Sequence, residues 1–484
     1  MTQPARSKTR DGTGRLSLAA GPAFQRRFPI WPLALMALVG LVDQIDVGVL
    51  RGVLPFLQDE WGLSDTQVGL LPAAFVLVNA IATIPAGWVA DHASRNRVIG
   101  WTLLSWSGLI LLSAAAWNFG SMLVARSVMG IGQAVDDPAS TSLLGDVYPG
   151  PMRARVFAWT QVSFFLGSGI GLAFGGWVAA TWSWPWAFVL VAPPSALVAI
   201  ACFRLREPRR GEAELPADLT WEQVDALPRG PDKERSLSGE VGFREFLSIA
   251  ATQLWAEVRM IFGIRTMRYV LIGVSALLFT VSGIAVWLPI YHERYSGLTA
   301  EQATALVGGV FGVGGLFGTF LGGWLSDRYA DRLQGGRIVV VVYSAVLCAV
   351  LFMVSFAVQP VAIRVALQFF GVLAAAGAAP GLRAAMLDVT PPESRGVGAS
   401  AFALCSAVLG PAAAPLVVGR LSDLTGSLVT AFYIVLPPVI VGLLLLLRAR
   451  HTINDDAAKI LNSIVEEQQL LARRHDEASV EEEP

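Results

Sequence analysis

Apolar residues fall into long runs from one end of the chain to the other, and polar residues gather in the gaps between them. An α-helix needs about 17–25 mostly apolar residues to cross a bilayer core. Twelve runs fit a helix of that kind: residues 30–55, 67–90, 98–117, 121–148, 154–180 and 184–203, then 267–291, 301–326, 338–358, 361–388, 396–419 and 427–448. Glycine and proline recur inside them, which helices in lipid tolerate when neighbours re-satisfy the backbone. The expected fold class is all-α and integral to the membrane, with twelve transmembrane helices in two six-helix bundles.

The gaps are unequal. Residues 1–29 form a polar, arginine-rich N-terminal tail. The apolar run after it has full spanning length and lacks a small-residue cleavage site, so it reads as a first helix and not as a signal peptide. Residues 206–265 separate a first bundle at 30–205 from a second at 266–450. The first part of this break reads as a linker; Phe243 to Phe262 spaces apolar residues among charges, the pattern of an interfacial helix. Residues 451–484 form a tail with a second amphipathic stretch, Ile453 to Leu471, and an acidic end. Arg95, Arg97, Arg153, Arg155, Arg328, Arg332, Arg337 and Arg395 all fall in gaps on one side; Arg294 and Arg420 are the exceptions. The positive-inside rule puts the first set in the cytoplasm, with both termini, as expected of a multi-pass protein of the cell membrane.

The halves repeat each other. Leu54-Pro55 returns as Leu288-Pro289, and G-L-S-x-x-Q (Gly62 to Gln67) as G-L-T-x-x-Q (Gly297 to Gln302). G-W-x-x-D (Gly87 to Asp91) returns at Gly323 to Asp327, and D-V-x-P-x-x-x-R (Asp146 to Arg153) at Asp388 to Arg395. Four matches in one order, with a slowly drifting offset, indicate a duplicated unit and two pseudo-symmetric bundles. Such a duplication puts a substrate site between the halves, near the midplane.

Composition narrows the function. The chain is 54% hydrophobic and 15% charged, against about 25% charged in soluble proteins. Its net charge of −1 and its lack of basic or aromatic recognition motifs give no reason to expect nucleic acid as a partner. Cys202, Cys348 and Cys405 all lie in apolar runs and read as small core residues. The four histidines are scattered. No metal, no cofactor and no nucleophile–base set is expected, so the chain does not read as an enzyme.

Charges inside the spans carry the chemistry. A charged side chain at the bilayer centre costs about 2.5–3.5 kcal/mol on insertion scales and faces a bundle interior or wet cavity. The fourth span holds Arg126, Gln133, Asp136 and Asp137. At about 100° per residue, Gln133 and Asp137 each fall roughly 20° from Arg126, making one polar stripe. Asp43 and Asp46, three residues apart in the first span, share a face. The position matching Asp46 in the second half is Thr280, which is uncharged, so this acidic site belongs to the first half alone. Both a proton-coupling role and a structural salt bridge, Asp46 with Arg126 or Asp43 with Arg51, are open at this point. Arg383, beyond Pro380, either meets an anionic head group or pairs with Asp388. Trp287, Tyr291 and the run Trp101, Trp106 and Trp159 either line an amphipathic pocket or pack.

Gly87 to Arg95 (G-W-V-A-D-H-A-S-R) and Gly323 to Arg332 (G-W-L-S-D-R-Y-A-D-R) close the second and eighth spans. The glycine permits close helix approach, and the aspartate can meet helix N-terminal amides and an arginine across the seam between the halves. This G-x-x-x-D-x-x-x-R resembles the signature of the major facilitator superfamily, and the resemblance covers nearly the whole chain. It implies a cytoplasmic gate built from Gly87, Asp91, Arg95, Asp146, Arg153, Gly323, Asp327, Arg328, Asp388 and Arg395. Arg126 to Gly132 resembles that family's R-x-x-x-G-x-G of helix 4, tied there to proton coupling. Asp46 to Pro55, Gly130 to Ala134 and Trp287 to Tyr291 together are similar to the Spinster-like branch, with Gln133 where the branch has Glu and Val47 where it has Arg. Gly167 to Gly176 resembles the antiporter motif of helix 5, with Leu172 where proline is usual.

The resemblance implies a secondary active transporter working by alternating access. Proton-coupled export of a small amphipathic or lipid-like substrate is the expected activity, by a monomer among membrane lipids. Export of drugs or small organic metabolites is the alternative, and a transporter-shaped membrane sensor is an alternative of another class.

Overall fold

A computed structural model describes residues 29–92, 94–208, 265–330, 336–389 and 397–449, with Glu212 and a few positions between 252 and 263. The amphipathic stretch expected from Phe243 falls mostly outside these residues, and the one expected from Ile453 wholly so. The helices are α1 (Ile30–Trp61), α2 (Asp65–His92), α3 (Arg95–Ala114), α4 (Phe119–Val147), α5 (Gly150–Thr181) and α6 (Trp184–Phe203). The second half holds α7 (Arg265–Ser296), α8 (Ala300–Ala330), α9 (Gly336–Ala357), α10 (Val361–Val389), α11 (Val397–Ala407 continuing to Ala413–Thr425) and α12 (Leu428–Leu446). Each expected span is a helix, though several run past the apolar stretch that marked them. Among the described residues, eleven helices are long and apolar enough to cross a membrane. The remaining one, α4, carries the polar stripe of Arg126 and Gln133, and its packing on α2 and α3 makes it the twelfth.

The two halves pair their helices alike: α1 with α5, α2 with α4 and α3 with α6; then α7 with α11, α8 with α10 and α9 with α12. Their first helix junctions are also alike. Gly62 ends α1 at φ 59° and Gly297 ends α7 at φ 65°, a left-handed conformation that only glycine adopts freely. The repeated G-L-S/T-x-x-Q is a capping box. Gln67 Oε1 accepts from Ser64 N (3.0 Å) while Ser64 Oγ accepts from Gln67 N (3.3 Å). Thr299 and Gln302 repeat both bonds at 3.2 and 3.3 Å. Reciprocal bonds of this kind satisfy donors that a helix start leaves open.

In α11, Pro411 and Pro415 interrupt the ladder, and Val408–Ala412 forms a π-turn. Pro415 has no N–H for the Pro411 carbonyl. Ser282 Oγ of α7 donates to that carbonyl instead, at 3.0 Å.

Among the described residues the apolar core is one large body at one end of the molecule and is divided at the other. Around Leu54, Leu57 and Val68 of the first half and Trp287, Leu288 and Tyr291 of the second, buried residues form a single cluster. Towards the opposite end the core parts into a first-half cluster around Leu35, Ile99 and Leu143 and a second-half cluster around Val270, Val341 and Leu443. The halves meet along α5–α8 and α2–α11, with α1 against α7 and α8. Gly169 of α5 lies so close to α8 that a Cβ there would sit 2.6 Å from Gly308 O and 2.8 Å from Gly312 Cα. Only glycine lets the two backbones meet this closely.

Candidate functional site

Asp46 of α1 and Arg126 of α4 are each 1% exposed. Arg126 Nη1 donates to Asp46 Oδ2 at 2.9 Å. The guanidinium also lies over Phe188 of α6, 4.5 Å from the ring centroid, a favourable site for a cation. Among the described residues the pair is incompletely satisfied: Arg126 Nε and Nη2 and Asp46 Oδ1 are buried without a hydrogen bond of ordinary geometry, and the Trp106 side chain lies beside Asp46. Burying an ion pair is costly unless its remaining donors and acceptors are used.

Two helical turns along α4, Gln133 faces α1 again, as the stripe requires. Its Nε2 donates to Asp43 Oδ1 and Oδ2 at 2.7 and 2.8 Å. Gln44 Nε2 donates to Asp43 Oδ2 at 2.8 Å, and Asn79 of α2 reaches Gln133 Oε1 at 3.4 Å. Asp43 also lines a small cavity with Asp136, Thr102, Trp106 and Ser195. Its volume is about 10 Å³, near what a single water needs. Asp136 Oδ1 accepts from Ser140 Oγ at 3.4 Å. The acidic cluster thus lies inside the first bundle, among α1, α3, α4 and α6.

Of the two candidate salt bridges, Asp46–Arg126 forms and Asp43–Arg51 does not. Arg51 Nη1 instead donates to Ser168 Oγ of α5 at 3.3 Å. Trp287 and Tyr291 are 0% and 1% exposed and in this state pack instead of lining a cavity. Trp287 Nε1 donates to Pro415 O at 3.1 Å, and Tyr291 stacks among Tyr295 and Phe356. Trp106 is buried, whereas Trp101 and Trp159 are exposed.

At the gate end, two of the expected gate residues, Arg95 and Asp146, meet. Arg95 also pairs with Glu207, at 2.7 Å, and donates to Ser142 Oγ and Pro208 O. Ser142 and Asp146 are on α4, and Glu207 and Pro208 lie just past the end of α6, so Arg95 ties together the ends of α3, α4 and α6. Arg328 is exposed and lies over Trp324 at 5.4 Å. Gly87 and Gly323 lie within α2 and α8. The side chains of Asp91, Asp137, Arg153, Asp327, Arg383 and Asp388, and all of Arg395, lie outside the described residues.

The sequence reading missed a clamp at the opposite end. Asp65, at the start of α2, receives Arg294 of α7 at 2.6 and 2.9 Å, Gln58 at 2.7 Å and Ser422 of α11 at 2.5 Å. Gln58 Oε1 accepts from Arg294 at 2.9 Å. Asp423 accepts from the backbone N–H groups of Asp65 and Thr66 at 2.9 and 2.8 Å, and from the Thr66 hydroxyl. A carboxylate on N–H groups at a helix start is favoured by the helix dipole. These contacts join the two halves directly, at the end where their cores fuse. Arg294 stood out in the sequence as an arginine on the wrong side, which was the available signal.

A family profile described as Major Facilitator Superfamily matches residues 36–415. A gallate transporter of Pseudomonas putida is 31% identical over 64% of this chain and 68% of its own. Spinster homolog 3 of Homo sapiens is 24% identical over 81% of this chain and 74% of its own. Among solved structures, a bacterial homolog of the human lysosomal transporter Spinster, in an inward-facing and occupied conformation, superposes with a TM-score of 0.66 at 19% identity. That match covers 90% of this chain and 98% of the homolog. A peptide transporter in complex with sulfate superposes equally well, at 0.66 and 15% identity.

Proposed function

The chain belongs to the major facilitator superfamily of secondary transporters, and from that premise we propose that it exports an amphipathic, lipid-like substrate by proton-coupled alternating access. The observation that carries the coupling is the Asp46–Arg126 pair, sealed in the first bundle with three polar atoms unused. Such a pair is poised. Arg126 holds the ionised carboxylate; if Arg126 swings away in the opposite state, burial favours the protonated acid. Proton uptake and release then follow the change of state. Asp43, Gln133 and Asp136, with their water-sized cavity, supply the path towards the pair, and Asp137 continues the stripe.

Bundles 30–205 and 266–450 are the moving parts, and 206–265 is the tether. The arginine asymmetry supports a cell-membrane orientation with the clamp outside and both termini inside. The fused core at the clamp end and the divided core at the other then make this state inward-facing. In the outward-facing state, Asp91 closes on Arg153, and Asp327 and Asp388 on the arginines near them.

A second reading has a specific motive: the gallate transporter and a 4-hydroxybenzoate transporter of Pseudomonas putida, 27% identical over 62% of this chain and 66% of its own, are named for aromatic acids. Reconstituted vesicles under imposed pH gradients test both substrate classes. Asp46→Asn is expected to abolish gradient-driven transport while part of the substrate binding survives. Full gradient-driven transport by that variant would leave Asp46 a structural charge.

A further inference from the structure

Arg51 lies on the seam face of α1. It follows Gln44 and precedes Gln58 by seven residues each, so the three share one stripe to within about 20° per step. Gln58 at the top of that stripe touches Arg294 of α7, which fixes the direction the stripe faces. Arg51 therefore points towards the second half, about 10 Å along the axis from the clamp. Gly48, one turn away, brings α1 so close to α5 that a Cβ there would stand 2.6 Å from Ser168 O. The guanidinium thus emerges where α1 and α5 approach the seam.

Its partner set is unlike those of five other arginines among the described residues, buried and exposed alike. Arg95, Arg126, Arg206 and Arg294 each hold a carboxylate. Arg364 is surrounded by backbone carbonyls. Arg51 makes its bond to a neutral hydroxyl, Ser168 Oγ. The acid nearest it in sequence on α1, Asp46, faces Arg126, and Asp43 is engaged by Gln133 and Gln44. An arginine inside the membrane normally finds an anion. Its planar fork is preorganised for the two oxygens of a carboxylate or phosphate.

We propose that Arg51, steadied by Ser168, anchors the anionic head of the transported molecule, and that the substrate is an organic oxyanion on an apolar body. This rests on the transporter reading and narrows its substrate class. The position corresponding to Arg51 in the second half, by the offset of the Leu-Pro repeat, is Ala285, which is buried. The head is therefore held on the first-half side of the seam, and the apolar body extends towards the second half.

The test is binding to the purified full chain in detergent, with matched acid and neutral probes. One arm compares 4-hydroxybenzoate with its methyl ester; the other compares a lysophosphatidate with a monoacylglycerol of the same chain. Wild type is expected to prefer the anion at least tenfold in one arm or both. Preference in the first arm identifies a carboxylate head, and preference in the second a phosphate. Arg51→Gln is expected to erase the preference while leaving the neutral probe's affinity unchanged, and Arg51→Lys to restore part of it. The unchanged neutral affinity distinguishes a lost anchor from a misfolded protein. Equal binding of acid and neutral probes by wild type overturns the proposal, as does a preference that survives Arg51→Gln. Neither result depends on the proton gradient, so failure of the coupling reading is recognised separately, by Asp46→Asn in vesicles.

Discussion

Arg126 and Arg364 are both buried in the membrane part of the protein, yet they are satisfied to opposite degrees. Arg364, at the start of α10, is 4% exposed. It donates to Val358 O from Nε and Nη2 (3.1 and 2.9 Å), to Tyr295 O (3.1 Å), to Gln359 O (3.4 Å) and to Ser296 Oγ (2.7 Å). It therefore closes the end of α9 and the end of α7 at once, using carbonyls that helix ends leave open. Arg126 has one hydrogen bond, to one carboxylate, and two nitrogens with no partner. An unmade bond on a buried polar group costs about 1–3 kcal/mol. A fold that needed only a strut would fill those positions, as it does around Arg364. The difference separates a fully satisfied brace from a pair with bonding capacity left over, which is what the proposed coupling role requires.

The comparison is broken most severely at Arg126. Arg126→Ala removes one member of a buried pair, a change that typically costs about 3–5 kcal/mol. Loss of transport and a lower thermal midpoint are both expected, read by vesicle uptake and by melting in detergent. Arg364→Ala is expected to cost about 1–3 kcal/mol, from carbonyls left bare. Its signature is a lower melting temperature with transport per folded molecule close to wild type. If Arg364→Ala instead stops transport in a protein that melts normally, the brace and the switch have been assigned the wrong way round. The smallest effect is expected at the clamp. Asp65→Asn weakens charge-assisted bonds to Arg294 and shifts the population towards opening at that end by on the order of tenfold. Accessibility of a cysteine placed near Leu63 reports this; an unchanged pattern would show that the glycine seams hold that end closed without the clamp.

The fold was legible because apolar length and repeated motifs each carry a physical requirement. The Asp46–Arg126 pair was legible too, since helical phase puts Arg126 and Gln133 on one face and the bilayer demands a partner for each charge. The Asp43–Arg51 alternative fails on the same arithmetic: eight residues separate them by about 12 Å along one helix, while Gln133 approaches from the side. The clamp was hidden because Asp65 and Arg294 come from different halves, and no periodicity within one helix links them. Trp287 and Tyr291 could not be decided between lining a pocket and packing, because the groups that meet their polar and ring surfaces come from other helices. The Trp287 indole is taken up by a carbonyl of α11, and Tyr291 lies beneath the Arg364 guanidinium, 5.5 Å from its ring centroid.

The contact of Gly169 with Gly308 and Gly312 has a mechanical consequence. With no side chains to interlock there, it is the natural fulcrum for rocking one half against the other. It is off-centre. From Gly169 to the gate end of α5 the helix runs about 19 residues, roughly 28 Å, and to the clamp end about 12 residues, roughly 18 Å. Tilting by one angle therefore sweeps the longer arm about half again as far as the shorter. Under the proposed alternating access, a half rocking about this contact would act as a lever with unequal arms and open wider on the side of the long arms. On that geometry the short arm, beside the clamp, would set the limit on the bulk of the cargo.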